Sequence, residues 1–273
     1  MLIAQFSDTH IKPEGRLAYG RVDTYALLEA AIDHLAAQPQ RPDLLLLTGD
    51  LVDVGAPEEY RRLRGLLDRT GLPLLLVPGN HDDREELRQA FPEHPGVEPQ
   101  GFWQFCRHES RWPGRIIGLD TVVAGESGGR LCAQRLAWLS RTLSEDPGVP
   151  TLLMMHHPPF VTGIGHMDEI GLEGREAFAA LLEVHPQVQL VTCGHLHRNI
   201  RATVGGRAVM TAPSTAHAVQ LDIAANAPAL FRLEPPGYLL HWWTGEGVVT
   251  HHVHGVAAPG PYPFFDEGGR LLL

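Results

Sequence analysis

Lysine is nearly absent from this chain. Of 22 basic residues only Lys12 is a lysine, which leaves little scope for amine catalysis. Cysteine is scarce too: Cys106, Cys132 and Cys193 form no CxxC pair, so neither a disulfide framework nor a thiolate zinc site is indicated. A reduced, cytoplasmic setting is expected. No apolar run approaches the ~20 residues that a membrane-spanning helix needs, and residues 1–6 (MLIAQF) lack the basic stretch of a secretory signal. Positive charge is in deficit, with 22 basic against 32 acidic side chains and a formal net charge of −10. A long nucleic acid or an anionic membrane, each held by clustered positive charge, is therefore disfavoured as the main partner. A small anionic substrate is not, because bound metal inverts the local field.

What is present describes a globule of 273 residues, 44% apolar and 20% charged, by its length one large domain or one domain with a small appendage. Residues 2–6, 43–48 and 72–77 are continuous apolar runs of strand length, the pattern of strands covered on both faces. Leu27, Leu28, Ala31, Ile32 and Leu35 recur at helical spacing over 23–36, as do Tyr60, Leu63, Leu66 and Leu67 over 57–69 after Pro57. A third helix is predicted over 83–91. This βαβαβ order predicts right-handed crossovers and a largely parallel sheet. The theme repeats with strands over 115–120, 150–155 and 188–193 and helices over 134–144 and 172–184. Beyond residue 198 the pattern turns to hairpins. Residues 200–204 and 207–211 flank the turn signal Gly205-Gly206, and strands are predicted near 217–223, 229–233, 237–243 and 247–254.

The predicted core strands run into polar clusters: Asp8-Thr9-His10, Gly49-Asp50, Gly79-Asn80-His81-Asp82, His156-His157 and Gly194-His195-Leu196-His197. The C-terminal ends of strands are where open α/β sheets bind ligands. Asp8 and His10 stand two apart on extended chain, so both project from one face toward one cation. His195 and His197 share that spacing, with a turn able to aim them at two different ions. Gly49 permits a sharp turn that brings Asp50 to the sheet edge, where its two oxygens can bridge two cations. Asn80 adds a neutral amide oxygen. A lone Asp or His at a strand end is ordinarily a cap or a turn residue, but five such clusters in order point to a metal centre. Oxygen and imidazole donors without thiolate suit Mn, Fe or Zn better than Cu(I) or an iron–sulfur cluster.

The series DTH, GD, GNHD, HH and GHLH resembles the signature of the calcineurin-like metallophosphoesterase superfamily. AYG at 18–20, RPD at 41–43, PEEY at 57–60, PGNHDD at 78–83 and MHHPP at 155–159 resemble its bacterial glycerophosphodiesterase and class III cyclic-nucleotide phosphodiesterase branch. The resemblance implies an α/β fold, a four-layer αββα sandwich with a C-terminal β-hairpin cap. Residues 1–198 would be the metallophosphoesterase core. Residues 199–273 would complete the second sheet and supply the hairpin cap and an oligomerisation surface. The resemblance also implies two divalent metal ions (Mn, Fe, Zn or Co). The first would be held by Asp8, His10, Asp50 and His197, the second by the shared Asp50 with Asn80, His156 and His195, while His81 faces the substrate. No position of this set departs from the family pattern, which argues against a non-catalytic scaffold on the same fold.

Such a site is expected to hydrolyse small phosphodiesters with a metal-bound hydroxide. Two divalent ions outweigh two carboxylates and a hydroxide by a single positive charge, which attracts a monoanionic diester; coordination also lowers the pKa of water from 15.7 toward about 7. His81 is placed to stabilise phosphoryl charge or protonate the departing alkoxide, and His217 (in STAHAV) is expected near the phosphate. Phosphoprotein phosphatases of the superfamily read GDxVDRG, and Val54 stands here in place of the arginine that a dianionic monoester would use. The expected substrates are glycerophosphodiesters and 3′,5′-cyclic nucleotides such as cAMP, with a phosphomonoesterase or nuclease of the same superfamily as alternatives. Tyr19 would line the pocket or be an ordinary surface residue. His157 would support the site, touch substrate or simply pack. Asp53, Asp82 and Asp120 would orient ligand imidazoles or cap helices. His251, His252 and His254 read as exposed strand residues. Trp242, Trp243, Leu239, Leu240, Val248 and Val249 put apolar groups on both sides of late strands, predicting a homo-oligomer in which this region also covers the active site.

Overall fold

Strands built wholly of apolar residues need cover on both faces, and two facing sheets flanked by helices provide it. The computed structural model describes residues 1–96, 101–256 and 258–271. Its first half comprises β1 (Leu2–Phe6), α1 (Thr24–Ala36), β2 (Leu44–Thr48), α2 (Pro57–Asp68), β3 (Leu74–Val77) and α3 (Arg84–Ala90). Next come β4 (Phe105–His108), β5 (Arg115–Leu119), β6 (Gly129–Arg130), α4 (Ala133–Glu145) and β7 (Thr151–Met155). Then follow α5 (Gly165–Glu169), β8 (Leu172–Glu173), α6 (Arg175–Glu183) and β9 (Val188–Cys193). The rest is strand: β10 (Arg201–Val204), β11 (Arg207–Thr211), β12 (Ala218–Val219), β13 (Phe231–Arg232), β14 (Gly237–Thr244) and β15 (Gly247–His254).

The first sheet runs β15-β14-β1-β2-β3, with β1, β2 and β3 parallel and β14 antiparallel to β1, Leu2 facing Trp242. The second runs β10-β11-β9-β7-β5-β4, parallel from β5 to β11 and antiparallel at both edges. One core joins Ile3, Phe6 and Leu46 of the first sheet to Ile116, Leu152 and Met154 of the second, and reaches Leu28 of α1 and Leu63 of α2. The opposite face of the second sheet, Ile117, Leu153 and Val191, packs on Leu139 of α4 and Phe178 of α6. The layers are therefore α, β, β, α.

Helix ends follow local chemistry. Asp23 caps α1 by accepting from Ala26 N at 3.0 Å, and Asp83 caps α3 through Glu85 N and Glu86 N. The helix predicted over 172–184 starts only at Arg175, because Leu172–Glu173 pairs with Gly129–Arg130 as a short parallel ladder. The strands predicted near 217–223 and 229–233 contract to two paired residues each. Beyond residue 198, β10 and β11 complete the second sheet, whereas β14 and β15 extend the first and leave β15 as its free edge. Residues 258–271 are exposed on the surface. Among the described residues no helix is long and apolar enough to cross a membrane.

Candidate metal centre

Strand ends of both sheets meet at one edge, and the backbone there is strained. Among the described residues six non-glycine positions have positive φ: Asp8 (52°), His10 (43°), Tyr19 (52°), Asp50 (49°), His195 (71°) and His197 (52°). Five of the six belong to the expected ligand set. Such conformations cost on the order of 1–3 kcal/mol each and persist only where the surroundings fix them. Asp8 N donates to Gly49 O at 3.0 Å, His10 N to Asp50 O at 3.0 Å, and His195 N to the Asp8 carboxylate at 2.9 Å. Ser214 Oγ donates to Asp8 O at 2.8 Å. Two glycines let the turns approach: a Cβ on Gly79 would lie 2.3 Å from Asp50 Oδ1, and one on Gly49 2.5 Å from His156 Nδ1.

The donors converge. His10 Nε2 lies 3.2 Å from His197 Nε2 and 3.7 Å from Asp50 Oδ2, and His197 Nε2 lies 3.6 Å from Asp8 Oδ1. Asp8, His10, Asp50 and His197 each bring one donor atom within 4.8 Å of the others. On the other side of Asp50, His156 Nε2 is 3.4 Å from Oδ2 and 3.2 Å from Asn80 Oδ1. In His156 and His197 the inward nitrogen is aimed by a bond at the opposite ring position. His156 Nδ1 pairs with Thr48 O at 2.8 Å, and His197 Nδ1 with His217 O at 3.0 Å. His195 is turned the other way, its Nε2 pairing with Ile170 O at 3.1 Å and leaving Nδ1 free. Asp8 Oδ2 is buried with no hydrogen-bond partner among the described residues, as a carboxylate oxygen shaped for a cation would be. Buried carboxylates and imidazoles converging in this way fit divalent metal.

The electrostatics show what a cation would relieve. Burial, opposed by His156 and reinforced by Asp50, pushes the Asp8 carboxyl up to about 6. Burial works against Asp50 as well, yet the charge and hydrogen bond of His156, with His10, hold it well below the usual carboxylate range. Burial would lower His156, but Asp50 and Asp8 overcome it and raise the imidazole to about 9. His195 falls to about 3 through burial and repulsion by His156. His197 falls well below its ordinary value through burial, His217 and His10.

Over the cluster lies a cavity of about 290 Å³. His10, Asp50, Asn80, His81, His195 and His197 line it, with Tyr19, His217 and Phe231 to one side. His81 Nδ1 pairs with Asp53 O at 2.7 Å. His217, whose Nδ1 has no partner among the described residues, has its ring centroid 4.4 Å from that of His197, and burial lowers it to about 3. Tyr19 sets its ring edge-on to His217 and 4.8 Å from Phe231.

The residues around the donors take roles the sequence left open. His157 is buried, with Nδ1 near Thr121 Oγ1 at 2.8 Å and Nε2 near Ser127 O at 3.1 Å, so both nitrogens have protein partners. Asp53 lies 3.7 Å from His10 Nδ1 and pairs with Lys12. Asp82 neither orients an imidazole nor caps a helix. It accepts from Gly79 N, Leu51 N, Val52 N and Tyr60 Oη at 2.8–3.3 Å, tying the Asp50 turn to the Asn80 turn. Asp120 likewise contacts no ligand imidazole, being occupied by Arg84 at 2.6 and 2.8 Å. His251, His252 and His254 are exposed on β15. Ser127, His166, Met167, Ile170, Val219 and Leu230 also line the cavity; of these only His166, as one of 16 histidines, carried any compositional signal.

A family model described as calcineurin-like phosphoesterase matches residues 1–199. The chain belongs to that family. This calcineurin-like phosphoesterase is 40% identical, over the whole of both chains, to a probable glycerophosphodiester phosphodiesterase GpdQ of Arcobacter nitrofigilis. It is 35% identical to a cAMP/cGMP dual specificity phosphodiesterase of Mycobacterium tuberculosis, across 82% of this chain and 70% of the relative. Its fold is shared with a dimetal phosphatase from Danio rerio at a TM-score of 0.62, covering 94% of this chain and 99% of that one at 17% identity.

Proposed function

We propose that this phosphoesterase is a metal-dependent hydrolase of small phosphodiesters, acting on glycerophosphodiesters and 3′,5′-cyclic nucleotides such as cAMP. The observation that carries the reading is the chemistry of the cavity. Buried carboxylate and imidazole donors converge on its floor, and among the described residues no lysine or arginine lines it. That balance suits a monoanionic diester better than a dianionic monoester, and a volume of about 290 Å³ suits a small one. The two relatives support the same substrates, one named for glycerophosphodiesters and one for cyclic nucleotides.

In this reading Asp8, His10, Asp50 and His197 would hold one divalent ion, and Asp50, Asn80, His156 and His195 a second. When bound, the pair supplies a hydroxide nucleophile at neutral pH and neutralises charge on the phosphoryl oxygens. The chain's own groups do the rest. His81, its Nδ1 fixed by Asp53 O, presents its remaining nitrogen to the cavity and holds the proton that the departing alkoxide takes. His217 contacts a phosphoryl oxygen beside His197. Thr48 O and His217 O keep His156 and His197 in one orientation.

The test is metal-loaded enzyme assayed on bis(p-nitrophenyl) phosphate, glycerophosphocholine, cAMP and p-nitrophenyl phosphate. Preference for the diesters is expected; preference for the monoester overturns the reading. We further propose a cytoplasmic enzyme that is homo-oligomeric through the free edge of β15. Trp242 of β14 and its cross-strand neighbour Val249 of β15, 54% and 48% exposed, form an apolar pair beside that edge and support a protein partner. Light scattering that gives a monomer at micromolar concentration excludes the oligomer.

A further inference from the structure

One wall of the cavity has no part in the mechanism above. The short helix α5 contributes His166 and Met167 to it, and Ile170 follows directly. His166 Nδ1 is closed to solvent without a partner, and among the described residues neither ring nitrogen bonds to protein. With Nδ1 closed, the Nε2 edge is the one that a ligand can reach.

The wall is fixed. The Asp168 carboxylate accepts from Thr162 N, Thr162 Oγ1 and Gly163 N at 2.8–2.9 Å. Ile164 packs with Leu196 and Val219, and Ile170 O pairs with His195 Nε2 at 3.1 Å. Leu196 stands between His195 and His197, so both ends of the wall are anchored to the turn that carries two of the proposed ligands. His166 therefore keeps a set position relative to the reacting phosphate. The Tyr19 and Phe231 rings, 4.8 Å apart, also line the cavity. A phosphodiester has two ester arms, and this lining offers them two unlike surfaces. One wall is aromatic; the other offers a single polar edge between Met167 and Ile170.

We propose that His166 is a specificity-determining residue that reads a free hydroxyl on one ester arm of the diester, favouring a polyol arm over the same arm without the hydroxyl. The proposal rests on the phosphodiesterase reading and names the substrate feature that this site selects. An imidazole edge can donate to or accept from a hydroxyl, and a site built to bond a substrate hydroxyl discriminates against the analogue that lacks it.

The experiment compares glycerophosphocholine with propyl phosphocholine, which keeps the choline arm and removes both hydroxyls. The readout is the ratio of the two kcat/KM values. A ratio of about tenfold is expected for the wild-type enzyme, the worth of one hydrogen bond, collapsing toward one in His166→Leu. His166→Phe, which fills the space without a polar edge, repeats the test if leucine disturbs α5. A wild-type ratio near one overturns the proposal, and so does a ratio unchanged by the substitution, even if both rates fall. Calorimetric affinities for the same pair on a His81→Ala background give the ratio without turnover. Selective binding without hydrolysis by the wild type would sink the phosphodiesterase reading and leave this inference standing; equal hydrolysis of both esters would do the reverse.

Discussion

Thr192 Oγ1 on β9 donates to Gln5 Oε1 on β1 at 2.5 Å, joining the two sheets three residues before His195 and three before Asp8. Gln5 Nε2 continues the chain to Thr48 Oγ1 at 2.8 Å, two residues before Asp50, and Thr48 Oγ1 donates to Ser7 Oγ at 2.7 Å. His241 Nε2 meets the same Gln5 oxygen at 2.9 Å from β14. All of these side chains are buried, so the clasp holds both sheets in register just beneath the proposed ligands.

Gln5→Leu breaks that clasp at its centre. Thr192, Thr48 and His241 then lose partners in a dry interior, and stability is expected to fall by about 1–3 kcal/mol in urea unfolding. Calorimetric titration of the metal-free chain with Mn²⁺ should show about tenfold weaker binding, because Asp8 and His195 no longer share a fixed spacing. A stability loss with metal affinity intact would reduce the clasp to a purely structural role.

Metal removal should make stability depend on alkaline pH. In the metal-free chain His156 is raised from 6.5 to about 9 by Asp50 and Asp8. An imidazole with a raised folded pKa contributes stability that is fully present below 6.5 and is lost as pH rises through about 9. Unfolding temperature of the chelated protein is therefore expected to drop between pH 7 and pH 9.5, while the metal-loaded protein, whose His156 must be neutral, stays higher and flatter. Calorimetric metal binding at pH 7.5 in buffers of different ionisation enthalpy should show net proton release. Absence of release would mean that His156 is not a ligand.

Much of the fold and the candidate site could be read from short motifs ending apolar runs. LLLLT followed by Gly49-Asp50, and VQLVTC followed by Gly194-His195, mark strand and donor together because a strand end and a ligand are adjacent in sequence. Asp120 could not be read this way. Its partner Arg84 lies on a helix 36 residues away, and only tertiary packing makes it an ion pair rather than a support for an imidazole. His157 was ambiguous for the same reason, since Thr121 and Ser127 reach it from a distant loop. His166 escaped notice because the five-residue α5 is too short to show periodicity. The register of β14 against β1 was likewise hidden, being a pairing across most of the chain.

Gly49→Ala should be far more damaging than its size suggests. Gly49 has φ +84°, and an added Cβ would lie 2.5 Å from His156 Nδ1 and 2.7 Å from Gly79 N. Gly15, with φ +72° and nothing within 4 Å, is the matched control. Gly15→Ala is expected to cost only the left-handed penalty of about 1–2 kcal/mol in urea unfolding. Gly49→Ala should cost clearly more and also weaken metal binding, because the clash displaces a proposed ligand. Equal losses would show that the turn yields without moving His156.

His81 carries the proton argument, and its geometry makes the outcome specific. Its Nδ1 is committed to Asp53 O at 2.7 Å, its backbone N donates to Asp50 Oδ1 at 2.9 Å, and the ring lines the cavity. His81→Ala removes the ring and leaves the backbone bond to Asp50 in place, so metal content by mass spectrometry should match the wild type. Loss of a general acid typically lowers turnover by 10²–10⁴-fold, most where the leaving alkoxide is most basic. The kcat for glycerophosphocholine is therefore expected to fall by about that much, whereas bis(p-nitrophenyl) phosphate, whose phenolate leaves with little help, should be slowed far less. Equal slowing of both substrates would reassign His81 from the leaving group to the phosphoryl charge, because that interaction does not depend on the basicity of the departing oxygen.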